Sequence, residues 1–196
     1  MPGTTSRPTG GKLLLTSFAL AMAVSTTGLA AAAGAVLLEP PTASELAAKP
    51  RDTGKYEIGK NKLAIGGYDP VAYFPEGGAK PAKGKKSITL EHRGVKYRFA
   101  SESNLELFKS NPNKYEPAYG GWCAYAAAKE TYTEPNPKRF KIQGGRLLLF
   151  YDGFFGDTYE DWHKEGPDRL EVEADDFWKA ETRELPRTPA NEYRVD

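Results

Sequence analysis

Apolar and polar residues alternate strictly in two places along this chain. Ile88 and Leu90 mark one face of Ser87–Glu91, and Val95, Tyr97 and Phe99 mark one face of the next run, opposite Lys96 and Arg98. Arg93-Gly94 separates the two runs, which predicts a β-hairpin with glycine at a positive-φ position. A second hairpin is predicted from Phe140–Gln143 and Arg146–Tyr151 around Gly144-Gly145. Its return strand, Leu147-Leu148-Leu149-Phe150, is apolar on both faces, as a strand packed on two sides would be. A helical pattern follows each hairpin. Ser101 is placed to cap the first helix, Glu102 suits its dipole, and Leu105, Leu107 and Phe108 form its apolar side up to Asn111-Pro112. The second runs over 156–178, broken at Gly166-Pro167 and anchored by Tyr159, Trp162, Phe177 and Trp178. Pro70 makes Tyr68–Phe74 an edge strand or a turn into one. Trp122–Ala128 fits either a strand or a helix. These elements predict an α+β fold, a small antiparallel sheet built from two β-hairpins with helices packed against it.

The ends have a different texture. Arg7 and Lys12 precede a run from Leu13 to Leu38 without a charged residue, and small residues close it. That layout predicts a signal peptide over 1–33 and an exported, periplasmic location. The alternative is an uncleaved anchor reaching residue 38, with the folded part still outside the cytoplasm and the membrane touched only through this segment. Residues 34–62 read as a flexible tether, 63–180 as the folded domain, and 181–196 as a loose tail.

Charge changes the picture by exclusion. The 27 basic and 26 acidic residues nearly cancel, which argues against nucleic acid as a partner. The single cysteine excludes an internal disulfide and any cysteine-pair zinc site. No hydrolase triad, metalloprotease helix, phosphate loop or dinucleotide fingerprint occurs. The nine acids between Asp157 and Asp176 read as solvated surface, as do the lysines of the 75–86 loop.

Candidate chemistry therefore gathers at Tyr119-Gly120-Gly121-Trp122-Cys123-Ala124-Tyr125, which holds the lone thiol. A buried cysteine behaves as a small hydrophobe, whereas a reactive one needs access and a cation or helix start nearby. A soft metal ion is the third possibility, since copper(I) accepts mixed cysteine and histidine ligands. His92 is the candidate second ligand. Asp69, Tyr97, Tyr119, Gly121, Trp122 and Tyr125 are candidates for a surrounding pocket.

Asp69-Pro70-Val71, then His92-x-Gly94-x-x-Tyr97-x-Phe99-x-Ser101, then Phe108-x-x-x-Pro112-x-x-Tyr115 resembles the YHS domain. The segments Gly67–Phe74 and Tyr119–Tyr125 are similar to the exported bacterial branch of that family. The likeness covers about 63–180. It implies a small binding module. In metal-handling members, cysteines stand where this chain has Ala72 and Ala100, so the implied thiolate site is absent here. The expectation is an exported binding module, not an independent enzyme, with copper or another soft transition metal on Cys123 and His92. The alternatives are a single-cysteine redox protein, or a structural or interaction module with a buried thiol and a periplasmic protein partner.

Overall fold

A computed structural model describes residues 51–187. The predicted signal segment, the first part of the tether and the end of the tail lie outside the described residues. The fold is α+β, as the pattern predicts. Strands β1 (Lys85–His92) and β2 (Val95–Phe99) form the first hairpin, and β3 (Asn136–Gln143) and β4 (Arg146–Phe150) the second. The hairpins do not join into one sheet. Each is its own two-stranded ladder, and a third, very short one pairs β5 (Asp152–Gly153) with β6 (Gly156–Asp157). Helices α1 (Glu102–Ser110) and α2 (Pro112–Tyr115) follow the first hairpin. The five-residue α3 (Ala124–Ala128) precedes the second, and α4 (Thr158–Glu165) and α5 (Pro167–Thr182) follow it. Ser101 caps α1 by accepting from the Asn104 amide at 3.1 Å. Gly166, at φ 100°, turns the chain between α4 and α5. All five residues of β4 are buried, consistent with packing on both faces.

The two halves repeat one motif. Each starts with a left-handed kink: Ile65 and Gly66 have φ/ψ of 52/30° and 56/24°, and Tyr119 and Gly120 have 53/37° and 59/15°. A β-branched residue seldom adopts this conformation; Ile65 does so with its side chain almost wholly buried. Two residues before each kink the chain bridges in parallel to the second residue of a hairpin's return strand, Leu63 to Lys96 and Pro117 to Leu147. The hairpins share one register. Thr89–His92 pair with Val95–Arg98 and Phe140–Gln143 with Arg146–Leu149. A bulge of the same size then leaves Lys85 opposite Phe99 and Asn136 opposite Phe150. Both turns hold two residues at positive φ, which matches the twist of the strands. After each return strand a capped helix leads to a proline that opens the next one, Pro112 and Pro167. The units differ at the joint between strand and helix. Ala100-Ser101 suffices in the first, whereas the second inserts the β5–β6 hairpin.

The core is aromatic. Tyr73, Phe74, Tyr97, Phe99, Phe108, Tyr119, Phe150 and Trp162 are almost completely inaccessible. Phe108 packs against Tyr97 and Phe99, and Trp162 against Phe150.

Two expectations about the ends need correction. The tether assignment fails from Arg51 on, because Tyr56 and Ile58 join the core. The tail assignment fails to Arg187, because Glu184 and Arg187 are buried. Their charges find one another, which a reading by composition misses. Glu116, in the joint between the units, accepts two hydrogen bonds from Arg51 at 2.9 and 3.0 Å, one from Arg187 at 2.5 Å, and one from the Tyr97 hydroxyl at 2.8 Å. The Tyr56 hydroxyl donates to Glu184 at 2.6 Å. Burial alone would raise the Glu116 carboxyl, but Arg51 and Arg187 outweigh it and hold it far below the usual carboxylate range.

Candidate functional site

Gly120 and Gly121 bend the chain so that Cys123 meets the end of the second hairpin. A Cβ on Gly120 would lie 2.6 Å from the Trp178 ring and 3.0 Å from Tyr56, so only glycine fits there. The Trp122 amide closes the turn onto Tyr119 O at 3.1 Å, and the Trp122 ring donates to Lys55 O at 2.6 Å. Cys123 then bridges to Leu149 of β4, donates its amide to Thr133 O at 3.1 Å, and starts α3.

The sulfur is fully buried, at 0% exposure. It accepts from the Tyr151 amide at 3.4 Å and lies 3.3 Å from Thr158 Oγ1. Thr158 spends its single hydroxyl proton on Tyr151 O, 2.9 Å away. The thiol is therefore left as the donor toward Thr158. Its neighbours thus complete its hydrogen bonding without solvent.

The first unit has a counterpart. Asp69 follows its kink as Cys123 follows the second, and it too is fully buried. Its carboxylate accepts from the Val71 amide at 2.9 Å, the Ala100 amide at 2.7 Å and Asn104 Nδ2 at 2.6 Å. Ala100 follows Phe99 as Tyr151 follows Phe150, so both side chains take the amide that comes just after a return strand. Each also reaches the first turn of the next helix, at Asn104 in one unit and Thr158 in the other.

The structure does not bring His92 to Cys123. His92 ends β1 at the tip of the first hairpin, edge-on to Phe108 at 5.8 Å. Its Nε2 has no hydrogen-bond partner among the described residues. Burial lowers its affinity for a proton, partly offset by Glu116. Cys123 belongs to the other unit, among Leu149, Tyr151 and Thr158. Among the described residues no group of three or more His, Cys, Asp and Glu side chains is placed to hold a metal ion. His92 and Cys123, expected as joint ligands, make their contacts in different hairpins.

The expected pocket residues are dispersed in the same way. Tyr97 points to Glu116, and burial pushes its hydroxyl well above the ordinary phenol value. Tyr119 is buried beneath the Arg146 guanidinium, 5.3 Å from its ring centroid. Gly121, at φ 96°, stands 3.4 Å from Glu57 O by its would-be Cβ. Trp122 packs on Tyr132 at 5.2 Å. Tyr125 donates to Glu165 at 2.6 Å, and that bond raises its hydroxyl to about 12. A cleft of about 280 Å³ is lined by Glu57, Ile58, Leu63, Ile65, Glu134 and Pro137, none of them an expected site residue.

Sequence reasoning passes over two features. One is the Glu116 network, whose members lie far apart in the chain. The other is the β5–β6 tip, where Phe154 and Phe155 are 95% and 90% exposed. The signal for the tip was legible as Gly153-Phe154-Phe155-Gly156 between two aspartates, a two-residue turn of unusual content. Comparison of the chain with models of known protein families, with curated proteins and with solved structures finds no match in any of the three.

Proposed function

We propose that this chain is an exported interaction module of the YHS type that binds a protein partner, with Cys123 as a structural thiol. The observation that carries this reading is the state of the sulfur. It has no exposure and two hydrogen-bond partners, in the position that a buried carboxylate fills in the other unit. A redox thiol needs a path for its co-substrate, and a metal ligand needs further donors. Ala72 and Ala100, which stand where the resemblance puts thiolates, are hydrogen-bonded through their amides to Asp69, at its carbonyl and its carboxylate respectively. Neither position carries a sulfur atom, so the residues present there do not fit a thiolate-held metal.

The test is thiol labelling of the folded full chain, beside the same measurement in denaturant. The expected result is no reaction in the folded protein over the time that labels the unfolded chain completely. Metal content should be the same for wild type and Cys123→Ala. Fast stoichiometric labelling of the folded state would establish the redox reading. Metal lost with the thiol would establish the metal reading.

A further inference from the structure

The first unit leaves open a face that the second encloses. Lys96 and Arg98 hold the register positions of β2 that Leu147 and Leu149 hold in β4. The two leucines are 0% and 1% exposed, whereas Lys96 and Arg98 are only partly buried. Further bases gather at this face. The Lys96 amide donates to Lys62 O at 2.7 Å, which sets Lys62 beside the strand. The amides of Asp69 and Gly84 donate to Ala82 O and Gly67 O, both at 2.9 Å, so 82–84 runs alongside 67–69. Lys83 Nζ then reaches Gly66 O at 3.0 Å, and a Cβ on Gly67 would stand 3.4 Å from Arg98 Nη1. Lys85 and Lys86 continue from Gly84 into β1. None of these six bases forms an ion pair among the described residues, whereas Lys55, Lys109, Lys114, Lys129 and Arg139 each do. Three acids lie in the same stretch. Asp69 is buried among its three donors, and Glu76 is paired with Lys114. Only Glu91, opposite Lys96 in the hairpin, is left to answer the six cations.

We propose that this face docks on the anionic headgroups of a phospholipid bilayer. The contact is separate from the protein partner read above and does not rest on it. Charge makes the occupant anionic, and side-chain type makes it a lipid surface. Five of the six bases are lysines, which are depleted where proteins meet; such interfaces are centred on aromatic or apolar anchors. This face has no such anchor, because the large hydrophobic residues exposed among the described residues are Phe154, Phe155 and Val172, all in the second unit. A cluster of lysines binds an anionic leaflet through the surface potential and needs no anchor. Net charge orients the molecule in the same sense, whichever side chains pair. Residues 51–116 hold 13 bases and 8 acids, whereas 117–182 hold 8 bases and 13 acids. The resulting dipole turns the first unit toward a negative surface and the second away from it. Chain length allows the contact as well. The uncharged run that ends at Leu38 is followed by only residues 39–50 before Arg51, a span of at most about 40 Å. A chain that keeps this run in the bilayer holds the basic face within reach of the headgroups.

The experiment measures partitioning of the full chain onto vesicles of phosphatidylcholine alone and of phosphatidylcholine with one-third phosphatidylglycerol. The ratio of the two partition coefficients cancels what the apolar run contributes to both. The expected result is a clear preference for the anionic vesicles, weakened by added salt. The triple variant Lys83→Glu, Lys85→Glu, Lys86→Glu should lower the ratio at least about tenfold. All three side chains are exposed, and an unchanged melting curve shows that the fold is kept. The control Lys138→Glu, Lys141→Glu, Lys164→Glu makes the same change in net charge on the second unit and should lower the ratio much less. A wild-type chain without preference for the anionic vesicles overturns the proposal and leaves an acidic protein or a nucleic acid as the occupant. So does an unchanged ratio in the first triple variant, or an equal loss in the second. Thiol labelling is independent of these outcomes, so the two readings fail separately.

Discussion

The two units close the same joint with different atoms. In the first, the Asp69 carboxylate accepts three hydrogen bonds, including the Ala100 amide at 2.7 Å. In the second, the Cys123 sulfur accepts one from Tyr151 at 3.4 Å and gives one to Thr158. Oxygen contacts are shorter and, for an ionised acceptor, stronger than those of a thiol. The second unit compensates with apolar packing: Cys123 bridges to β4, whose five residues are all buried, and Trp162 is fully enclosed in the core beside it. The comparison shows that a lone cysteine in a conspicuous motif can be one of two answers to a single packing problem.

The largest effect expected from breaking this comparison is at the carboxylate. Asp69→Ala leaves three donors, two of them on buried residues, without an acceptor and should cost about 4 kcal/mol in urea unfolding, with the Ala100 amide losing its protection from hydrogen exchange. Next comes the joint between the units. Glu116→Gln should cost about 3 kcal/mol, since Arg51 and Arg187 then lose the carboxylate they share in a buried setting. The wild-type carboxyl is depressed on folding, so its contribution is complete above the unfolded value of about 4.3. It is lost as pH falls below that value, toward the folded one. His92, also depressed, adds to the loss on the acid side. Acid titration of the melting temperature should therefore fall steeply below about pH 4 in wild type and less steeply in Glu116→Gln. A smaller effect follows at the thiol. Cys123→Ala should cost about 1.5 kcal/mol and expose the Tyr151 amide, not the Ala100 amide, to exchange; protection unchanged at Tyr151 would break the equivalence. The smallest concerns what the second unit adds. Removing 152–156 should leave a cooperative melt, and Phe154→Ser with Phe155→Ser should move stability by no more than about 0.5 kcal/mol.

Much of this architecture was legible in the residues. Both hairpins, the Ser101 cap, the break at Gly166-Pro167 and the two-sided burial of β4 follow from periodicity and turn chemistry. The repeat was harder to see. Gly66 and Gly120 are 54 residues apart but Phe99 and Phe150 only 51, so no fixed period links them, and little beyond Gly-Gly and an aromatic is shared. The site was misjudged for a related reason. Cys123 and His92 stood out because they are rare, but rarity does not fix position, and the fold assigns them to different hairpins. Arg51, Glu184 and Arg187 looked like solvated ends because a charge shows its partner only in three dimensions.

Because Arg51 and Arg187 grip the same Glu116 carboxylate, the two ends of the described chain meet at one point. The backbone between them is a nearly closed ring, fastened by charge instead of a covalent bond. A short linker could therefore splice residue 187 to residue 51, and the ring could be reopened between Phe154 and Phe155. Such a circular permutant should fold, with each half of the presented pair at its own free terminus.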